Sequence, residues 1–107
     1  MAIDLLELQN QVKQCGAVVR VVITEIKGST PRGIGTSMLV WANGESGTIG
    51  GGALEYQAIK TARDALKSKT GWIASHPLGP ELGQCCGGFV KLAGEYFDAT
   101  NLPLDKE

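Results

Sequence analysis

The chain has 107 residues, 43% of them hydrophobic, and balances 10 Lys and Arg against 11 Asp and Glu for a net charge of -1. That length makes one domain with one modest core, and the near-neutral, interspersed charge excludes a nucleic-acid or anionic-membrane surface built on bulk electrostatics. No run approaches the roughly 18 apolar residues of a membrane span, Asp4 and Glu7 interrupt the one early apolar stretch where a leader would lie, and three cysteines, two of them adjacent, do not make a disulfide framework, so the expectation is a cytoplasmic protein with reduced thiols.

Residues 3–14 read as a helix with Leu5, Leu8, Val12 and Cys15 on one stripe, stopped by Gly16. Residues 17–26 are β-branched and almost continuously apolar, the pattern of a central strand covered on both faces. Met38–Trp41 and Ser46–Ile49 read as short strands. Asn43-Gly44 between them signals a hairpin, because both residues tolerate positive φ. Gly50-Gly51-Gly52 leads into a helix over about 53–68. Its apolar stripe is Leu54, Ala58, Ile59, Ala62, Ala65 and Leu66, and Lys67 and Lys69 lie toward its negative end. A strand near 71–75, a loop at 76–87 and a strand at 88–97 complete the domain, and 98–107 is a polar tail. The expected fold is a single small α/β domain, a mixed β-sheet of about five strands with two packed helices.

The 15 glycines concentrate at 28–35, 44–52 and 79–88, so ordinary elements are separated by three glycine-rich loops. With Gly52 as N-cap, Glu55 falls at the third helical position and can bond back to the N-cap amide. Glycine offers no side-chain acceptor for the next amides, which stand at the positive end of the helix dipole and suit an anion such as phosphate. The alternative is a helix start that needs glycine for tight packing. The loop Gly28–Gly35 offers Ser29, Thr30 and Arg32, whose planar fork matches phosphate or carboxylate; a long surface turn with a solvated arginine reads equally well. Neither loop is a nucleotide fingerprint, since the Lys-Ser/Thr of a P-loop and the third glycine of G-x-G-x-x-G are missing.

Cys85-Cys86 is the sharpest feature. Two adjacent thiols flanked by Gly83 and Gly87-Gly88 can hardly both fill a core, and exposed amides favour the thiolate that attacks sulfur or ligates a soft metal. Cys15, alone on an apolar stripe, reads as core filler. His76 reads as a surface or hydrogen-bonded residue before it reads as a ligand. A zinc site from Cys85, Cys86 and His76 is a poor match, for want of four ligands at motif spacing. Trp41 and Trp72 read as packing residues.

Taken in order, Gly28-Ser29-Thr30-Pro31-Arg32, Gly47-Thr48-Ile49-Gly50-Gly51-Gly52-Ala53-Leu54-Glu55 and Gly79-Pro80-Glu81-Leu82-Gly83-Gln84-Cys85-Cys86-Gly87-Gly88 resemble the XdhC/CoxI family over about residues 15 to 95. Members of that family are accessory proteins of xanthine dehydrogenase and carbon monoxide dehydrogenase. The resemblance implies an accessory chaperone, not an enzyme. It would bind the molybdenum cofactor, support its sulfuration with a cysteine desulfurase, and help insert it into a xanthine-dehydrogenase-type molybdoenzyme. The residues it assigns to the cofactor are Gln84, Cys85, Cys86, Gly87 and Gly88, Gly50, Gly51, Gly52 and Glu55, and Ser29, Thr30 and Arg32, with Cys86 and Cys85 as molybdenum ligands. Typical members carry a second, Rossmann-like domain; this sequence shows the family-like domain over 1–97 and no G-x-G-x-x-G unit after it. Self-association to a homodimer is a further expectation, from leftover apolar surface. Two other functions fit the same residues: a thiol or persulfide sulfur-transfer protein using Cys85 or Cys86, and a regulatory nucleotide- or anion-binding module using the glycine loops alone.

Overall fold

The computed structural model describes residues 5–28, 33–77 and 88–101. In chain order these form α1 (Leu5–Cys15), β1 (Ala17–Lys27), β2 (Ser37–Trp41), β3 (Gly44–Gly47), α2 (Gly52–Ser68), β4 (Trp72–Pro77) and β5 (Phe89–Asp98). The strands make one sheet in the order β3-β2-β1-β5-β4. Five strands and two helices match the sequence reading. The strand directions differ from the mixed sheet expected: every adjacent pair is antiparallel. The one crossover helix, α2, joins the two edge strands, so it creates no parallel neighbours.

β1 is central, and its near-continuous apolarity follows from cover on both faces. Val19, Val21 and Ile23 are buried with Met38, Val40, Ile49, Val90 and Leu92 under α2. Val18 is buried on the other face with Leu39, against Leu8 and Val12 of α1. The register with β5 shifts between Ile23 and Glu25, leaving Thr24 as an extra residue. That bulge reverses the alternation, which is how Ile26, out of phase with Ile23, still packs on the α2 side. The Thr24 hydroxyl donates to the Lys91 carbonyl across the bulge.

α2 meets the sheet through its smallest residues. Ala58, Ala62 and Ala65 are buried together with Leu54, while Ile59 and Leu66, expected on the same stripe, are half-buried at its margins. Alanines along the line of contact let the helix axis come close to β1 and β2. Arg63 ties the helix to the β2–β3 hairpin, donating from Nε to the Trp41 carbonyl at 3.2 Å and from Nη2 to the Gly44 carbonyl at 3.3 Å and to Glu45 at 3.0 Å. The helix ends on Lys69, which takes the left-handed conformation (φ 60, ψ 37) and donates its amide to Ala65.

Three details depart from the sequence reading. The hairpin has Ala42 and Asn43 as its two loop residues, with Gly44 already paired to Trp41, and neither loop residue has a positive φ. Gly44 is needed for space instead: a Cβ there would lie 2.8 Å from the Trp41 indole nitrogen. Next, β3 occupies Gly44–Gly47, two residues earlier than Ser46–Ile49, because the chain leaves the sheet at Gly47 and drives Ile49 into the core. Finally, Cys15 is exposed, not core filler. It stands at the last helical position, past the buried Val12, and lines a cavity of ≈ 450 Å³ with Ala17, Ala42, Arg63, Leu66 and Lys67. Both tryptophans pack as expected, Trp41 on the α1 side and Trp72 on the α2 side.

The close alanine contact gives a direct test. Ala62→Leu adds bulk where α2 lies nearest the sheet and is expected to cost about 1–3 kcal/mol through overpacking. Urea unfolding checks it; a change within about 0.5 kcal/mol, the range of surface substitutions, would mean that α2 is not held against β1 at this point.

Candidate functional site

The antiparallel ladders put one end of every strand together. β1 ends at Lys27, β2 begins at Ser37, β3 ends at Gly47, β4 ends at Pro77 and β5 begins at Phe89. The pairs Val22↔Ser37, Met38↔Gly47, Lys27↔Phe89 and Pro77↔Phe89 place all five termini at the same end of the sheet. The three glycine-rich connections therefore start and finish at this end, and α2 starts there too.

The first anchor of the site is a backbone crossing. A Cβ on Gly28 would lie 3.0 Å from the Gly88 Cα, and a Cβ on Gly88 would run into the Lys27 carbonyl oxygen. Only glycine permits both approaches, and Gly28 also has a left-handed φ of 78. The crossing holds the root of the Ser29–Arg32 segment against the root of the segment that carries the two adjacent cysteines. It stands beyond the end of β2: the β1–β5 ladder continues from Val22 to Lys27 after the last β1–β2 pair, about 15 Å at the rise of a strand.

The second anchor is the start of α2. The N-cap is Gly51, one residue before the position expected, so Glu55 falls a position later in the helix than a capping box requires. It nevertheless binds back to the N-cap. Glu55 Oε1 accepts from the Gly51 amide at 2.9 Å, the Ile49 amide at 3.1 Å and the Thr48 hydroxyl at 2.5 Å. The Thr48 oxygen accepts the Gly50 amide at 3.0 Å. Thr48 was not among the sequence candidates; its signal is a hydroxyl seven residues before a helical glutamate, across a run of glycines. Gly50, Gly51 and Gly52 have φ of 125, 78 and 70, angles that other residues take only under strain. The N-cap glycine supplies no side-chain cap of its own, and a Cβ on Gly51 or Gly52 would meet nothing within 4 Å. The first-turn amides, which have no partner within the helix, stand at the positive end of the dipole.

Of the residues assigned by sequence, Gly50, Gly51, Gly52, Glu55 and Gly88 are in this end of the sheet. Ser29, Thr30, Arg32, Gln84, Cys85, Cys86 and Gly87 lie outside the described residues. His76 sits half-buried on β4 opposite Val90, and burial pushes its imidazole below its ordinary value. Among the described residues no three His, Cys, Asp or Glu side chains group to hold a metal, and no helix is long and apolar enough to cross a membrane.

The molecule is thus an α/β domain with three glycine-rich connections and the glycine start of α2 gathered at one end of its sheet. The model of the XdhC and CoxI family matches residues 12–75, more than half of the chain, and the protein belongs to that family. The family is one of accessory and maturation proteins. The matched span covers the Ser29–Arg32 segment and the start of α2 and ends before Cys85 and Cys86. Comparison with curated proteins finds no match. Among solved structures, a Bacillus halodurans protein described as a xanthine dehydrogenase superimposes with a TM-score of 0.75 at 23% identity, over 91% of this chain and 31% of its own. That likeness establishes the fold, and the chain spans about a third of the length of that protein.

The Gly28–Gly88 crossing generates a prediction. Gly88→Ala forces the β1 and β5 ends apart and is expected to lower stability by at least about 1 kcal/mol, read as a fall of roughly 4–8 °C in thermal midpoint. An unchanged midpoint would show that the two backbones do not touch in solution.

Proposed function

We propose that this protein is an accessory protein that holds the molybdenum cofactor at the glycine-rich end of the sheet during maturation of a xanthine-dehydrogenase-type molybdoenzyme. The observation that carries the reading is the Gly28–Gly88 crossing. Ser29 directly follows Gly28, and Cys86 is two residues before Gly88. Each trans peptide step spans about 3.8 Å, so Ser29, Thr30 and Cys86 are tethered within about 7.6 Å of the crossing, Cys85 within about 11 Å and Arg32 within about 15 Å.

The described residues fit such a group in two respects. The open space over Gly51 and Gly52 leaves room for a bulky ligand against bare amides, and those amides suit its phosphate. The crossing and the start of α2 form two levels at one end of the sheet, which suits an elongated ligand with its metal and its phosphate well apart. Arg32 adds a planar fork for the phosphate. Cys86, with Cys85 beside it, supplies thiolate, a reasonable partner for molybdenum and for sulfur passed on by a cysteine desulfurase. When bound, the cofactor supplies the molybdenum centre that the recipient enzyme requires; this chain's own residues hold it, exclude other ligands and release it. The chain is read as an accessory protein without turnover of its own, working in the cytoplasm with the desulfurase and the recipient molybdoenzyme as partners and able to pair with a second copy of itself.

The experiment is the double substitution Cys85→Ser with Cys86→Ser, in protein purified from a cofactor-producing host, set against Cys15→Ser. Serine keeps the size but is a poor soft-metal ligand and cannot carry a persulfide, so the double variant is expected to lose bound molybdenum while its thermal midpoint holds. Because Cys15 is exposed, Cys15→Ser is expected to leave both molybdenum and stability unchanged, within about 0.5 kcal/mol. Full molybdenum occupancy in the double variant would contradict the reading.

A further inference from the structure

Glu55 is one of the residues that the family resemblance assigns to the cofactor, yet its carboxylate oxygen Oε1 is already engaged within its own chain. It takes the Thr48 hydroxyl and the amides of Ile49 and Gly51, while Thr48 takes the amide of Gly50. Three successive backbone amides, those of residues 49 to 51, are thereby turned toward one threonine–glutamate pair. The turn is pinned on its inner side as well, by Ile49 at 0% exposure and Leu54 at 6%. The glycines between these anchors hold the positive φ angles that such a closed turn demands. The next amides along, at Gly52 and Ala53, belong to exposed residues at the uncapped helix start. The amides of 49 to 51 are satisfied internally, and among the described residues no side chain is seen to take the helix amides that follow.

We propose that Glu55, acting with Thr48, is a positioning residue of the ligand site. It locks the turn Thr48–Gly51 so that the first-turn amides of α2 present to the ligand, and it does not contact the ligand itself. This inference rests on the proposed function for its ligand, but the lock is a property of the chain alone. It differs from two simpler roles. A carboxylate that only complemented the helix dipole would act through its charge, and a direct ligand contact would leave the turn unchanged when removed. A lock acts through acceptor geometry, which glutamine can supply in part and alanine cannot.

The test combines amide hydrogen exchange, read by NMR on the full 107-residue chain, with molybdenum content measured on the same preparations. In the unsubstituted protein the amides of Ile49, Gly50 and Gly51 are expected to be protected and those of Gly52 and Ala53 to exchange quickly. Glu55→Ala is expected to speed exchange at Ile49 and Gly51 about tenfold or more, as the local opening energy falls, and to lower molybdenum content. Thr48→Val is expected to speed Gly50 and leave Gly51 protected. Glu55→Gln is expected to recover most of the protection and most of the molybdenum. The proposal is overturned if Glu55→Ala leaves Ile49 and Gly51 unchanged. It is equally overturned if Glu55→Gln keeps the amides protected yet loses molybdenum as fully as Glu55→Ala, which marks a direct charged contact. Should Glu55→Ala fail to fold, Thr48→Val and Glu55→Gln decide the same question. Absence of molybdenum from the unsubstituted protein would remove the proposed function, while the exchange pattern would still decide the lock.

Discussion

The ladder between β1 and β5 runs from Ala17↔Asp98 to Lys27↔Phe89 and outlasts the other pairings of the sheet. It is the longest stretch of shared backbone hydrogen bonding in the domain, and the rest is arranged around it. Helices cover β1 from both sides, which buries Val18 toward α1 and Val19 and Val21 toward α2. The bulge at Thr24 lets the ladder continue without turning its apolar side chains to solvent, so Ile26 still joins the core near the far end. The ladder closes where Gly28 and Gly88 cross at a distance no side chain would tolerate. Without that length, the chain leaving β1 and the chain entering β5 would not meet at Gly28 and Gly88.

The start of α2 is organised by different physics. The turn before it gives up backbone regularity at three consecutive glycines and recovers its hydrogen bonds through Thr48 and Glu55. Burial of Ile49 and Leu54 on either side holds the turn in place. The helix dipole then points its positive end into open space, where an anionic group is favoured. The carboxylate of Glu55 lies close to that end and offsets part of the field.

Much of this was legible in the sequence because the relevant patterns are local. The apolar run of β1, the stripe of α2 and the glycine run before it each depend on a few neighbouring residues. Errors arose where a distant partner decides. Asn43-Gly44 reads as a turn that exploits positive φ, but Gly44 is fixed by the Trp41 ring packed across from it. Cys15 sits on an apolar stripe by count, yet the helix ends at that residue and its side chain is exposed. The antiparallel order could not be read from strand patterns, because α2 crosses between the two edges of the sheet and sequence order does not reveal the neighbours. Glu55 was visible as a capping residue, but its partner Thr48 lies outside the helix, and the spacing of a capping box does not include it. The crossing of Gly28 and Gly88 joins residues 60 positions apart and has no local signature at all.

The central claim is that this end of the sheet binds the molybdenum cofactor. The most direct measurement is the content of molybdenum and of pterin in the unsubstituted protein purified from a host that makes the cofactor, by elemental analysis and by fluorescence of the released, oxidised pterin. The account requires both to co-purify with the chain in equal amounts and at a substantial fraction of the protein present. Protein that carries neither, or that carries one without the other, would contradict it.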